Sequence, residues 1–108
     1  MAAAAICGVR GGSKEQMAHA CSMALKNLMG LVCDPVAGLV EVPCVKRNVG
    51  GAVNALAAAD MALAGIASHI PVDQVIDAMG EVGMKMDVSL RETSMGGVAT
   101  SPKGLEIA

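Results

Sequence analysis

Apolar residues recur at helical spacing along most of the chain. The pattern predicts a first helix over residues 1–10, ended by a glycine pair. A second helix begins at Ser13, where Gln16 completes a capping box, and ends at Gly30. The predicted core face of this second helix consists of Met17, Cys21, Ala24, Leu25 and Leu28.

Two further helices are predicted in the second half of the chain. Residues 48–67 form a long helix with alanine on many sides, which favours a position among other helices. Its apolar stripe consists of Val49, Val53, Leu56, Ala57, Met61 and Ala64. Pro71 starts the next helix at its first position, and that helix ends or bends at residues 87–90. Its stripe consists of Val72, Val75, Ile76, Met79, Val82 and Met86.

The C-terminal residues 98–108 contain Pro102 and Gly104 and predict an extended tail. No alternation of strand type runs beyond a few residues, and no internal repeat is present. The sequence therefore predicts an all-α fold: a compact bundle of about four helices rich in Ala and Met, with one Cys-bearing loop.

Composition narrows the kind of domain that this bundle can be. The chain has 108 residues, of which 54% are hydrophobic, with nine Met and no aromatic side chain. One small domain is expected. Its core must be built from small aliphatic side chains and Met, which suits closely packed helices or burial inside something larger.

The charge pattern excludes several classes of partner. The net charge is −2 and only 17% of residues are charged, so nothing favours nucleic-acid binding. Charged residues interrupt each apolar run well before the roughly 20 residues that a membrane span needs. The apolar N-terminus lacks the basic region and cleavage site of a secretory signal. We therefore expect a cytoplasmic protein, a compartment in which cysteines more often bind metals or act in catalysis.

Residues 30–48 contain the strongest candidate for a functional loop. Cys33 and Cys44 lie eleven positions apart, and Pro35 and Pro43 stiffen the backbone beside them. A stiff loop that brings two thiols together is a plausible metal-ligand loop. The alternative is that both are buried structural thiols, since free Cys commonly packs as a small hydrophobe. Their spacing matches no recognised zinc pattern.

Two polar clusters stand out in this apolar chain, one just after Cys44 and one near the C-terminus. Arg offers a planar fork to a carboxylate, and hydroxyl and amide groups can hold a small polar ligand. Solvated helix caps are the alternative reading. No nucleophile set or catalytic base can be assigned. The candidate substrate-binding residues are Arg47, Asn48, Glu92, Thr93 and Ser94.

The run GLVCDPVAGLVEVPCVKRN at residues 30–48 resembles the signature of the iron–sulfur-dependent L-serine dehydratase α chain or catalytic domain. The resemblance implies conversion of L-serine to pyruvate and ammonia without pyridoxal phosphate. It implies a [4Fe–4S] cluster held by three cysteines, whose remaining iron acts as a Lewis acid on the serine hydroxyl. Cys33 and Cys44 match two of these cysteines. Further similarity lies at residues 11–16, 71–76 and 91–97.

The same resemblance implies that the third cluster ligand lies upstream of Met1. Cys7 and Cys21 do not fall at that motif. Residues 1–108 would then be the C-terminal part of the α-chain catalytic domain, with a β subunit or domain as partner. Two thiolates leave a cluster one ligand short, so we expect the fragment alone to hold no intact cluster and to be inactive. Preference for L-serine over L-threonine stays open.

Two other functions remain as alternatives. The chain could be a non-catalytic helical interaction module with structural thiols, whose Ala- and Met-rich surface contacts a partner or forms a homo-oligomer. A zinc or redox site that uses all four cysteines is the weaker alternative, because their spacing does not match such sites.

Overall fold

The computed structural model describes residues 1–108 and consists of five α-helices with three short 3₁₀ turns. No strand is present; one isolated bridge pairs Cys33 with Arg91. The prediction of an all-α fold is confirmed. The helices are α1 Ala2–Val9, α2 Lys14–Leu28, α3 Cys44–Leu63, α4 Val72–Lys85 and α5 Pro102–Ile107. The 3₁₀ turns cover Val36–Gly38, Val88–Leu90 and Gly97–Thr100.

Helices α1, α2 and α3 pack against one another, and α4 packs on α2. The core between them is built mainly from alanine, which lets helix axes approach closely because little side chain stands between them. Cys7 of α1 is completely buried in it. The core residues are Ala3, Cys7, Ala20, Met23, Ala55, Ala58, Ala59 and Ala62.

The predicted capping box at the start of α2 is confirmed. The Ser13 amide donates to the Gln16 side chain at 2.9 Å, and the Gln16 amide donates to Ser13 Oγ at 3.1 Å. The Gln16 side chain also donates to the carbonyl of Ala62 at 3.2 Å. The cap therefore fixes the start of α2 and ties it to α3.

The predicted bounds and core face of α3 are wrong. The helix begins at Cys44 and ends at Leu63. Its buried face is Ala55, Ala58, Ala59 and Ala62, whereas the predicted stripe residues Val49 and Val53 are 62% and 59% exposed. Alanine packs closely on α1 and α2, so the small side chains face inward and the bulky ones face outward.

The predictions for α2 and α4 are partly correct. Cys21 of α2 is only half-buried, and the helix buries Ala20, Ser22 and Met23 instead. In α4, Val75 is buried as predicted, whereas Ile76 is half exposed. Among the helices, α4 contacts mainly α2, so a single narrow face of α4 is covered.

The predicted extended tail is wrong, since residues 97–107 are largely helical. Ser101 caps α5 by accepting a hydrogen bond from the Gly104 amide at 3.1 Å, and Pro102 takes the first helical position. Helix α5 packs on the turns Val36–Gly38 and Gly97–Thr100. A second packing region therefore forms at the Cys-bearing loop.

The chain leaves much apolar surface uncovered. A folded monomer of 10.8 kDa is expected to expose about 5,500 Å². This chain exposes 6758 Å² and buries 15 of its 108 residues. The molecule measures 48 × 25 × 15 Å along its principal axes. None of its helices combines the length and the hydropathy that crossing a bilayer requires.

Candidate functional site

A pocket of about 240 Å³ lies where the Cys-bearing loop meets the start of α3. It brings together both predicted ligand cysteines and two of the predicted substrate-binding residues. The lining residues are Val32, Cys33, Asp34, Val40, Cys44, Arg47 and Asn48. The two thiols therefore share one cavity despite their unusual spacing in sequence.

Main-chain hydrogen bonds hold Cys33 in this pocket. Its amide donates to the carbonyl of Leu90 at 2.9 Å, and its carbonyl accepts from the amide of Glu92 at 2.7 Å. These bonds bring the second polar cluster beside the Cys-bearing loop. Cys44 occupies the first position of α3, so Arg47, three residues later, lies on the same side of the helix.

Asp34 is the site residue that the sequence interpretation missed. The residue is 2% exposed, and both of its carboxylate oxygens accept hydrogen bonds. Arg47 donates to one oxygen, and the amide of Val98 donates to the other at 2.6 Å. The only signal in the sequence was a lone acid beside a cysteine in a mostly apolar run, which also fits an ordinary turn before Pro35.

Asp34 is held in its ionised form by these partners. Burial alone raises the pKa of the carboxyl, but the Val98 amide and the Arg47 guanidinium outweigh it and lower the pKa below its ordinary value. Arg47 donates in addition to the carbonyl of Val32 at 3.1 Å. The guanidinium is therefore partly committed to the loop that carries Cys33.

The three predicted residues of the second cluster have different surroundings. Glu92 lies near enough to Cys33 for its charge to act on the thiol. The hydroxyl of Thr93 donates to the carbonyl of Val88 at 2.8 Å, and that of Ser94 donates to the carbonyl of Pro35 at 2.5 Å. The structure thus places Glu92 near Cys33 but not in the lining of the pocket, and it uses both hydroxyls to hold main chain.

Three non-glycine residues adopt left-handed backbone conformations, and all lie in the segments around the pocket. The φ angles are +57° at Ala37, +63° at Glu92 and +57° at Ser94. Such conformations cost free energy and persist where surrounding contacts enforce them. Here the surrounding contacts are the hydrogen bonds of Cys33 and Pro35.

The Cys33 thiol has a raised pKa. Partial desolvation in the pocket is the largest cause, and the neighbouring Glu92, Cys44 and Asp34 act in the same direction. Arg47 opposes them. A thiol of this kind gives up its proton most readily when a cation replaces it.

The other two cysteines lie elsewhere. Cys7 is in the core, and Cys21 lines a separate apolar groove between α1, α2 and α3. No group of three or more His, Cys, Asp or Glu side chains is arranged to hold a metal ion. Thiolates are the donors that iron–sulfur clusters take, so the Cys33 and Cys44 pair fits part of such a site.

The fold and site define an all-α chain with two thiols in one partly charged pocket. A family described as "Serine dehydratase alpha chain" matches residues 1–99, and the chain belongs to this family.

Similar proteins carry matching names. The chain is 64% identical over 107 residues to the "Probable L-serine dehydratase, alpha chain" of Bacillus subtilis (strain 168), covering 99% of this chain and 36% of that protein. It is 58% identical over 107 residues to the protein of the same name from Latilactobacillus sakei, covering 99% and 51%. It is 53% identical over 107 residues to the "L-serine dehydratase, alpha chain" of Peptoniphilus asaccharolyticus, covering 99% and 37%. The chain therefore spans between about a third and a half of these relatives.

Proposed function

We propose that residues 1–108 are the C-terminal part of the catalytic domain of an iron–sulfur-dependent L-serine dehydratase, a lyase that converts L-serine to pyruvate and ammonia. The main observation behind this proposal is that Cys33 and Cys44 line the same pocket. The names of the relatives support the reaction.

Cys33 and Cys44 would hold two of the irons of a [4Fe–4S] cluster. When bound, such a cluster supplies a Lewis acid that makes the serine hydroxyl a better leaving group. A third thiolate must come from outside these residues, because Cys7 and Cys21 lie away from the pocket. The chain alone is therefore expected to hold no intact cluster and to show no turnover.

The polar groups of the pocket would position the substrate. Arg47 uses Nη1 for Asp34 and Val32, and its other N–H groups remain to pair with the serine carboxylate. The amide of Asn48 lines the same pocket and can bond that carboxylate or the amino group.

The second cluster would complete the substrate environment. The negative charge of Glu92 suits the substrate ammonium group. Thr93 and Ser94 would act through the main chain that their hydroxyls hold beside Cys33.

The rest of the enzyme, including a β subunit or domain, would cover the outward face of α3. We call this surface the valine face; it consists of Val45, Val49, Val53 and Leu56, which are 43–62% exposed. Exposed apolar patches of this kind mark sites of protein contact. We place the enzyme in the cytoplasm, where thiols such as the four free cysteines stay reduced.

The test is anaerobic reconstitution of the complete α chain and its β partner with iron and sulfide. Cys33→Ala and Cys44→Ala should each lower bound iron, visible absorption and pyruvate formation, whereas Cys21→Ala serves as the matched control. Unchanged activity in either pocket variant would refute the ligand assignment. Comparing L-serine with L-threonine as substrate determines the preference.

The valine face also favours a second candidate, a non-catalytic interaction module. Under that reading the complete protein would assemble with its partner yet retain no iron under any reconstitution condition, and Cys33→Ala would assemble normally.

A further inference from the structure

The side chain of Asp34 connects three separate parts of the chain. Asp34 itself follows Cys33 directly, and Arg47 lies on α3 three residues after Cys44. The amide of Val98 reaches the second carboxylate oxygen from the turn that precedes α5. One carboxylate therefore connects both thiol-bearing elements and the C-terminal turn.

We propose that Asp34 is a positioning residue that sets the place of the Cys33 thiol relative to the Cys44 thiol. Arg47 transmits this constraint between the loop and α3. The use of the Cys33 and Cys44 thiols to bind iron rests on the function proposed above. The geometric role of Asp34 stands on the contacts of this chain alone.

The Asp34–Arg47 pair differs from the other ion pairs of the chain. In the three other ion pairs, both side chains are between 47% and 74% exposed, and exposed pairs of this kind contribute little to stability. The side chain of Asp34 is 1% exposed. A buried carboxylate that loses its charge or its partners leaves unsatisfied groups behind, so its geometry is strongly enforced.

The residues around Asp34 leave room for the C-terminal turn to approach it and hold its neighbours in place. A β-carbon at Gly97 would fall on the carboxylate, so the approach of the C-terminal turn requires glycine at that position. Ser94 bonds the carbonyl of Pro35, which fixes the residue after Asp34. Cys33, the residue before it, is bonded at both its amide and its carbonyl.

The experiment uses chemical crosslinking to report how readily the thiols of Cys33 and Cys44 come together. The 108-residue chain is treated with a short reagent that reacts with two thiols, and mass spectrometry gives the ratio of Cys33–Cys44 bridged peptide to singly modified peptide. Asp34→Asn keeps the shape of the side chain and removes its charge. We expect this ratio to fall roughly tenfold, because freeing the loop lowers the effective concentration of one thiol at the other.

Two further variants separate positioning from stability. Arg47→Lys keeps the positive charge but not the donor fork, so we expect a smaller decrease in the bridging ratio. Asp60→Asn removes the carboxylate of the exposed pair with Arg10 and should leave the ratio unchanged. Circular dichroism establishes the folded fraction of each variant.

A wild-type bridging ratio in folded Asp34→Asn and Arg47→Lys would overturn the proposal, even if both variants melt at lower temperature. If Asp34→Asn fails to fold, the bridging ratio of folded Arg47→Lys, a change at a half-exposed position, tests the proposal by itself. In the reconstituted complete enzyme, Asp34→Asn should lose visible absorption several-fold faster in air than the wild type. If the wild type binds no iron while the bridging results hold, the proposed function fails and the positioning role remains.

Discussion

A β-carbon at Gly97 would lie 2.0 Å from Oδ2 of Asp34. The φ angle of Gly97 is +64°, so the backbone conformation favours glycine there, and the lack of space requires it. This contact joins the turn before α5 to the loop that carries Cys33. The C-terminal residues are therefore part of the candidate site.

Replacing Gly97 by Ala should destabilise the chain by roughly 3 kcal/mol, because backbone strain adds to a direct clash. Chemical unfolding measures the difference. Gly11→Ala is the matched control, since Gly11 has a φ of +89° and open space around its β-position. Its cost should be limited to about 1 kcal/mol of backbone strain. Equal costs at the two positions would contradict the close approach to Asp34.

Gly104 tests whether the C-terminal residues form a packed helix. An added β-carbon would lie 2.2 Å from the carbonyl oxygen of Val98. Gly104→Ala should therefore lower the free energy of unfolding by about 2 kcal/mol. Gly80→Ala, in α4 with open space around it, should raise the same quantity by about 0.5–1 kcal/mol. A neutral effect at Gly104 would favour an extended tail.

Cys7 is a packing residue of the core. Cys7→Ser buries a hydroxyl among apolar side chains and should lower the free energy of unfolding by about 2 kcal/mol. Cys21→Ser, at a half-buried position, should change it by about 0.5 kcal/mol or less. Thermal melts followed by circular dichroism compare the two. The reverse order would show that Cys21 belongs to the core instead.

The valine face should matter for assembly and not for folding. Val53→Ser should change the unfolding free energy of the 108-residue chain by only about 0.5 kcal/mol, because Val53 is 59% exposed. In the complete enzyme it should weaken subunit association by about 1 kcal/mol or more, measured by sedimentation. Met84→Ser, at an exposed position of α4, is the control. Equal association for all three proteins would remove the valine face from the interface.

Local signals in the sequence predicted much of the fold. The capping box at Ser13 and a helix start at Pro71 were both predicted from neighbouring residues alone. The capping box is confirmed, whereas Pro71 is the N-cap and the helix begins one residue later, at Val72. The core face of α3 was wrong because larger apolar residues were assumed to be buried. Which face of a helix packs depends on the helices beside it, and alanine is favoured where they come close. The cap at Ser101 with Pro102 at the first helical position is a local signal that was missed.

The candidate site was predictable only in part. The Cys33 and Cys44 loop was identified from its residues, and the structure places both in one pocket. Asp34 was missed because its partners, Arg47 and Val98, come from distant parts of the sequence. No local pattern distinguishes such a carboxylate from a turn residue. Long-range contacts of this kind become visible only in the folded chain.

The bridge between Cys33 and Arg91 has a consequence for biosynthesis. Residues 90–92 must leave the ribosome before Cys33 meets the main chain that holds it, so this pairing is a long-range event in folding. Until then Cys33 lacks these main-chain hydrogen bonds, while α1, α2 and α3 can already pack around Cys7. A nascent chain from which residues 1–65 have emerged, but residue 90 has not, should therefore already protect the buried Cys7 from alkylating reagents.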